Sequence, residues 1–292
     1  MHYYRCEYER VVGVATDNLT ALPTDWIYEY LSASAPPSVY DRSWLIQSLA
    51  NLGRFTEAAA YEAEALELAE PTRHPFTIGQ AHRAAVALHI LKGDWAGARS
   101  FSERWIVGIR TGNVVIQLPW AIAASAWILA QLGEASNALD RLREGAQLLQ
   151  HQVQRELIVT CGWDYHCLGR SCLLLGQLDE AQRLGERAVE FSTRQPGYAA
   201  HALHLLGDIA NNPDRFDAEA GKAHYFNALG LAEPRGMLPL VARCHFGLAT
   251  LYLRTDRRQL AREHLIIATT LYKKMDMKHY LAQAEKEMTA LA

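Results

Sequence analysis

Leu175-Gly176-Gln177-Leu178-Asp179-Glu180-Ala181 closes one apolar run and opens another, and the same grammar stands at Leu52-Gly53-Arg54-Phe55-Thr56-Glu57-Ala58. In each, a glycine suits the left-handed stop of one helix, and a small residue five positions later falls in the first turn of the next. Outward from these two stretches, small residues recur at Ala58, Ala98, Ala138, Ala181, Gly221 and Ala261, in steps of 40, 40, 43, 40 and 40. A period of this length marks stacked repeats, each one supersecondary unit that buries its apolar face on its neighbours. The predicted fold is all-α: a right-handed α-α superhelix, or solenoid, of about six helical hairpins plus a terminal capping helix. Such an architecture points to binding before catalysis.

In each unit a helix A precedes the glycine and a helix B follows it. Helix A is predicted over 39–52, 76–92, 117–132, 157–175, 197–211 and 237–254. Helix B is predicted over 55–69, 95–110, 135–150, 178–193, 217–232 and 257–273. Residues 1–37 read as a partial N-terminal repeat and loop, with a lone helix over 3–18 and a short one near 25–31. The hairpins occupy 38–70, 75–111, 114–153, 156–194, 196–234 and 237–274, and 276–292 caps the single solenoid. Gly53, Gly93, Gly133 and Gly176 supply the stops. Pro71, Pro75, Pro196 and Pro234 fall between hairpins, and Pro119 and Pro239 fall in first turns, where a missing N–H costs nothing. Pro213 lies in the turn inside the fifth hairpin. A second small residue follows each marker by seven, at Ala65, Gly145, Ala188, Ala228 and Ala268. Trp105 stands at that place in the second repeat, which predicts looser or shifted packing there.

With 292 residues, half of them hydrophobic and 21% charged, the chain carries a full core and no signature of disorder. A net charge of −3 argues against a dedicated nucleic-acid binder. Five cysteines without framework spacing read as reduced, buried thiols in a cytoplasmic protein. The charged N-terminus lacks a signal-peptide core, and the run Trp120 to Ala130 is too short to span a bilayer. Neither a membrane nor a nucleic acid is expected as a partner.

Leu168-Gly169 and Leu206-Gly207, with Leu248-Ala249 as a near match, join the glycine stops and small markers in a pattern that resembles the tetratricopeptide repeat. The 40-residue period resembles a longer-helix variant of its usual 34. The segment Gly236-Met237-Leu238-Pro239-Leu240-Val241-Ala242-Arg243-Cys244-His245-Phe246-Gly247-Leu248, continuing to Met275-Asp276-Met277, is similar to the C-terminal repeat region of bacterial proteins that join a nucleotide cyclase, a signalling ATPase and such a solenoid. Ala249 and Asp256 stand where that pattern has glycine, and Tyr280 where it has tryptophan. The resemblance implies a regulatory or scaffolding module, not an enzyme, that binds a protein or peptide. The runner-up is a sensor whose groove takes a small molecule or peptide and regulates an ATPase or cyclase. A start in mid-repeat fits a fragment, a truncated reading frame or a stand-alone relic of a larger protein.

In the resembled solenoids helix A lines the concave face. Counting back from each marker selects Tyr40, Ser43 and Gln47; Gln80 and Arg83; Trp120 and Trp127; Trp163, His166 and Arg170; His201, His204 and Asp208; and Arg243 and Phe246. This aromatic, basic-leaning stripe is expected either to grip a peptide or an anionic ligand, or to fill space between neighbouring A helices. His201, His204 and Asp208 share one helical face and formally make a two-histidine, one-carboxylate set. A polar groove lining with hydrogen-bonded imidazoles is the favoured account of them, because short histidine spacing on a helix is common, so neither metal nor cofactor is expected. The spacings of Cys161, Cys167 and Cys172 do not share a face. No phosphate-loop, nucleophile-elbow or H-E-x-x-H motif occurs. A lone N-terminal helix bearing Tyr3, Tyr4, Val11 and Val12 leaves an apolar face for a second copy or a missing repeat.

Overall fold

The computed structural model describes residues 2–31 and 33–291. Among them are fourteen α-helices and no strand, so the all-α expectation holds. The chain forms two compact units, Met1–Leu148 and Leu149–Ala292. In unit one, α1 (Tyr8–Ala21) precedes the hairpins α2 (Pro37–Asn51) with α3 (Phe55–Ala69), and α4 (Pro75–Lys92) with α5 (Trp95–Thr111). Helix α6 (Leu118–Gln131) follows, and α7 (Ala135–Gln154) runs across the unit boundary. Unit two holds α8 (Cys161–Leu174) with α9 (Leu178–Glu190), α10 (Pro196–Ala210) with α11 (Ala218–Ala232), α12 (Leu238–Arg254) with α13 (Arg258–Lys274), and α14 (Lys278–Leu291).

The hairpin chemistry is visible at each turn. Gly53, Gly93, Gly133 and Gly176 take φ of 77°, 82°, 78° and 73°, the left-handed region where a side chain is strained. Asp256 occupies the equivalent place at φ 56°, so the glycine conformation persists there without the glycine. Pro37, Pro75, Pro119, Pro196 and Pro239 all sit in first turns, where their missing N–H leaves no helix bond unmade. Pro37 belongs to α2 and not to the preceding loop. Asp94 caps α5 by accepting from the Gly97 N–H at 3.0 Å, and Asp217 caps α11 by accepting from the Ala220 N–H at 3.0 Å. All six small markers are buried.

Three expectations are corrected. The short helix near 25–31 is one 3₁₀ turn, Thr24–Trp26, because seven residues rich in aromatics do not offset the cost of helix nucleation. Helix α8 begins at Cys161, four residues later than expected, behind an exposed Leu157-Ile158-Val159 loop. Trp105 does not loosen the second repeat. It is buried, its indole N–H donates to Gln117 Oε1 at 2.8 Å, and its ring meets Trp120 at 4.9 Å. Gly79 makes the room, since a Cβ there would come within 2.3 Å of Gln117 Oε1.

The N-terminal apolar face is also occupied. Helix α1 packs on α2, Val11 is buried, and the Tyr3 ring lies 4.9 Å from that of Trp44. Burial pushes the Tyr3 hydroxyl well above its ordinary value, against the opposing pull of Arg83. The chain itself covers the surface expected to receive a second copy.

Candidate functional site

Of the fifteen residues selected from the period, ten are buried: Ser43, Gln47, Gln80, Trp120, Trp127, Trp163, His166, Arg170, His201 and His204. Tyr40, Arg83, Asp208, Arg243 and Phe246 are half-buried. Spacing places them on one face of each A helix, and neighbouring A helices then close over much of that face.

In unit one, residues of three A helices form a row. The Arg83 guanidinium lies 5.8 Å from the Trp44 ring centroid and 5.6 Å from that of Trp120, a cation held between two aromatic faces. Trp127 packs on Trp95 at 5.5 Å. Ser43 and Gln47 spend their donors on their own helix, to the carbonyls of Val39 at 2.8 Å and Ser43 at 2.9 Å. Tyr40 lines a surface depression with Trp26, Leu31 and Pro37.

Unit two holds the denser arrangement. Helices α8, α10 and α12 lie side by side, with residues about one repeat apart in register. The Trp163 ring meets Tyr198 at 5.6 Å and the edge of His201 at 5.1 Å, and His166 meets His201 at 5.5 Å. One turn or two further along, the Arg170 guanidinium donates both to Asp208 Oδ2 and to His204 Nδ1. The Tyr225 hydroxyl, from α11, donates to Asp208 Oδ1 at 2.7 Å. Asp208 is thus held by two donors from two other helices. On α12, Arg243 lies over the Tyr280 ring at 5.3 Å, one turn before Gly247, against which the Tyr225 hydroxyl packs.

Burial governs the protonation states. It drives His201 from 6.5 down to about 3, with Arg243 and Arg170 pushing the same way. His166 is also driven well below its ordinary value, first by burial and then by Arg170, and His204 likewise by burial, against the opposing pull of Asp208. Burial alone would raise the Asp208 carboxyl, but its neighbours, Arg170 and the Tyr225 hydroxyl among them, hold it well below the usual carboxylate range. The three imidazoles are therefore neutral beside one carboxylate and two guanidinium groups.

His201, His204 and Asp208 stand within this polar row, the last two in contact with Arg170. Arg170 occupies the His204 nitrogen and the Asp208 oxygen that a metal would need, and it brings a positive charge to the same spot. Among the described residues no group of three metal-ligating side chains converges. The five cysteines are buried and free.

Tyr225 and Tyr280 were not selected from the period, because they lie on helices B and at the C-terminal cap. A signal for Tyr225 was present in the sequence. Gly207 and Gly247 sit mid-helix with no turn to make, and both face its ring.

No protein-family model matches the chain, and no curated protein matches it. Among solved structures, the chain is similar to one described as the APC/C hetero-tetramer Cut9-Hcn1, with 16% identity and a TM-score of 0.52 over 97% of this chain and 54% of that one. It therefore spans about half the length of that chain. A second similar structure is the TPR2AB domain of yeast Sti1 in complex with pHSP90, with 13% identity and a TM-score of 0.33 over 85% of this chain and 98% of that one. The glycine-stopped hairpins and the first likeness define the class as a tetratricopeptide-type helical-hairpin fold. Among the described residues no helix is long and apolar enough to cross a membrane.

Proposed function

We propose that the protein is a non-enzymatic scaffold that binds a protein or peptide through the A-helix faces of its repeats. The observation that carries this reading is the row Arg170, His204, Asp208 and Arg243 across consecutive A helices of unit two. Arg170 is buried and Asp208 and Arg243 are half-buried, and an apolar set of the same volume would pack without their desolvation cost. Five free buried cysteines fit a reducing, cytoplasmic setting. The resemblance of residues 236–277 to cyclase–ATPase proteins supports a regulatory role in a bacterial signalling system.

The test is capture of partners by the chain, compared with a variant carrying Trp163→Ala, Arg170→Ala and Arg243→Ala and with Arg243→Glu alone. A partner retained by both variants, each verified as helical by circular dichroism, removes the reading. A second reading, a sensor for a small ligand, is favoured by the enclosure of His166 and His201. It predicts that a small molecule, not a polypeptide, raises the melting temperature.

A further inference from the structure

Pro37, Tyr40 and Asp41 stand at i, i+3 and i+4 in the first turns of α2 and so share one side of that helix. Helix α1 packs on α2, and near its end Asn18 joins Pro23 and Trp26 of the following turn to close the wall of one pocket with them, in unit one. The pocket holds about 360 Å³, at the small end of ligand sites, which suits a head group or a single side chain. Its wall is mostly apolar, and Asp41 is its only charged side chain. Among the described residues Asp41 forms no ion pair, and its carboxylate takes one bond, from the Asn18 amide at 3.3 Å, a neutral donor just beyond the usual N–H···O range. The neighbouring Arg42 is committed elsewhere, its Nε donating to Glu64 at 2.7 Å and its Nη1 to the Ser38 carbonyl at 2.9 Å. Residues 11–41 include Asp17, Asp25, Glu29 and Asp41 and no lysine or arginine. Burial raises the Asp41 carboxyl above its ordinary value, against the opposing pull of Asn18 and Arg42, as befits a charge short of compensation.

The same pocket carries two aromatic side chains, Tyr40 and Trp26, and the Trp26 side chain is left 45% exposed. An aromatic face attracts a cation through its quadrupole, most strongly for tryptophan, and quaternary ammonium groups are recognised in this way. An anion would be repelled by Asp41 and would meet no basic residue on the wall. A hard metal ion takes six or more oxygen ligands, and the wall offers it one carboxylate. A bare ammonium brings three N–H donors that each need an acceptor. A trimethylated one brings none, and its methyl groups cover apolar wall. We infer that this pocket is a receptor for one quaternary ammonium group, seated against the Trp26 and Tyr40 rings with its charge toward Asp41. The site uses no residue of the polar row in unit two, so it stands or falls apart from the scaffold reading.

Calorimetric titration of the full chain with choline, and separately with N-acetyl-trimethyllysine amide, tests it. A neutral counterpart of choline, in which a tert-butyl group replaces the trimethylammonium, serves as the control. Saturable one-to-one binding of at least one of the two cations is expected, weakened roughly tenfold or more by Trp26→Ala and by Asp41→Asn. The neutral counterpart is expected to bind roughly tenfold more weakly than choline, or not at all. Circular dichroism verifies that both variants keep their helices. Tighter binding of the lysine derivative identifies a methylated side chain as the source, and tighter binding of choline identifies a free cation. No saturable binding of either cation, a neutral counterpart bound as tightly as choline, or an affinity that either variant leaves unchanged overturns the inference. Unmethylated N-acetyl-lysine amide bound as tightly as the trimethylated form overturns the choice of a quaternary group.

Discussion

The ring of Tyr225 lies against Gly247 so closely that a Cβ on that glycine would stand 2.4 Å from the ring's Cζ and 2.7 Å from its hydroxyl oxygen. Gly207 faces the same ring, where a Cβ would come within 2.7 Å of Cε1. Two mid-helix glycines thus open a slot through which an aromatic of helix B reaches the carboxylate of Asp208. The usual sign of a glycine substitution is therefore reversed. Alanine at an exposed helical glycine gains about 1 kcal/mol, and Gly230→Ala, with nothing near its Cβ, is expected to do so. Gly247→Ala is expected to lose about 1–3 kcal/mol through overpacking. Urea denaturation of the two variants side by side checks the contrast.

The buried Arg170 and the half-buried Asp208 form an ion pair, and Tyr225 donates to the second carboxylate oxygen. Removing one partner strands the other charge, at a cost of about 3–5 kcal/mol, whereas replacing both with apolar residues costs much less. Arg170→Leu is therefore expected to destabilise strongly, and Arg170→Leu with Asp208→Leu to recover most of the loss. A double-mutant cycle measures the coupling. Additive losses would show that the pair is not a unit.

Much of this molecule is legible in its sequence, and the illegible part has a physical reason. The 40-residue beat finds the left-handed glycine stops and the helices on either side of them, because a glycine stop and a small contact residue are local requirements. Asp256 shows the limit of residue identity, since its left-handed backbone is set by the hairpin even without glycine. The period also selects which residues share a face of helix A. It does not say whether the next A helix closes over that face, as happens at His166, whose ring lies 5.5 Å from that of His201 on α10, because closure depends on packing between repeats. Trp105 shows the same limit: its size read as a misfit, and Gly79 and Gln117 on other elements accommodate it.

Acid should weaken the fold through its neutral histidines. His201 falls to about 3 and His245 to about 4 from an ordinary 6.5, and burial is the leading cause at both. Between those values and 6.5 the unfolded chain takes up protons that the folded chain refuses, so stability falls as pH falls through that window. The slope is up to about 1.4 kcal/mol per pH unit for each such group. Urea midpoints measured from pH 7 to pH 4 are expected to decline, and His201→Phe to decline less steeply. A flat profile would mean that these rings are protonated in the folded state.

His89 carries the opposite sign. Its ring bridges Glu62 on α3 at 3.0 Å and Asp94, the cap of α5, at 2.7 Å. Burial works against the charged ring, but the two carboxylates prevail and raise its pKa above 6.5. A raised folded pKa gives stability that is complete below the unfolded value and is lost as pH rises through the folded one. His89→Gln is therefore expected to cost more at pH 5.5 than at pH 8.5, and equal costs at both would remove the ion-pair account.

Asp256 sits at φ 56° with its side chain 94% exposed, so glycine there would relieve backbone strain and lose no packing. A non-glycine residue in the left-handed region costs about 1 kcal/mol relative to glycine. Asp256→Gly is expected to stabilise the last hairpin by about that amount, and Gly176→Ala at φ 73° to destabilise its own by a similar one. Glycine also loosens the unfolded chain, which trims both the first gain and the second loss. Thermal unfolding of both variants tests the pair. A melting temperature lowered by Asp256→Gly would mean that the Asp256 carboxylate, 3.6 Å from the Arg258 guanidinium, contributes more than its backbone strain takes away.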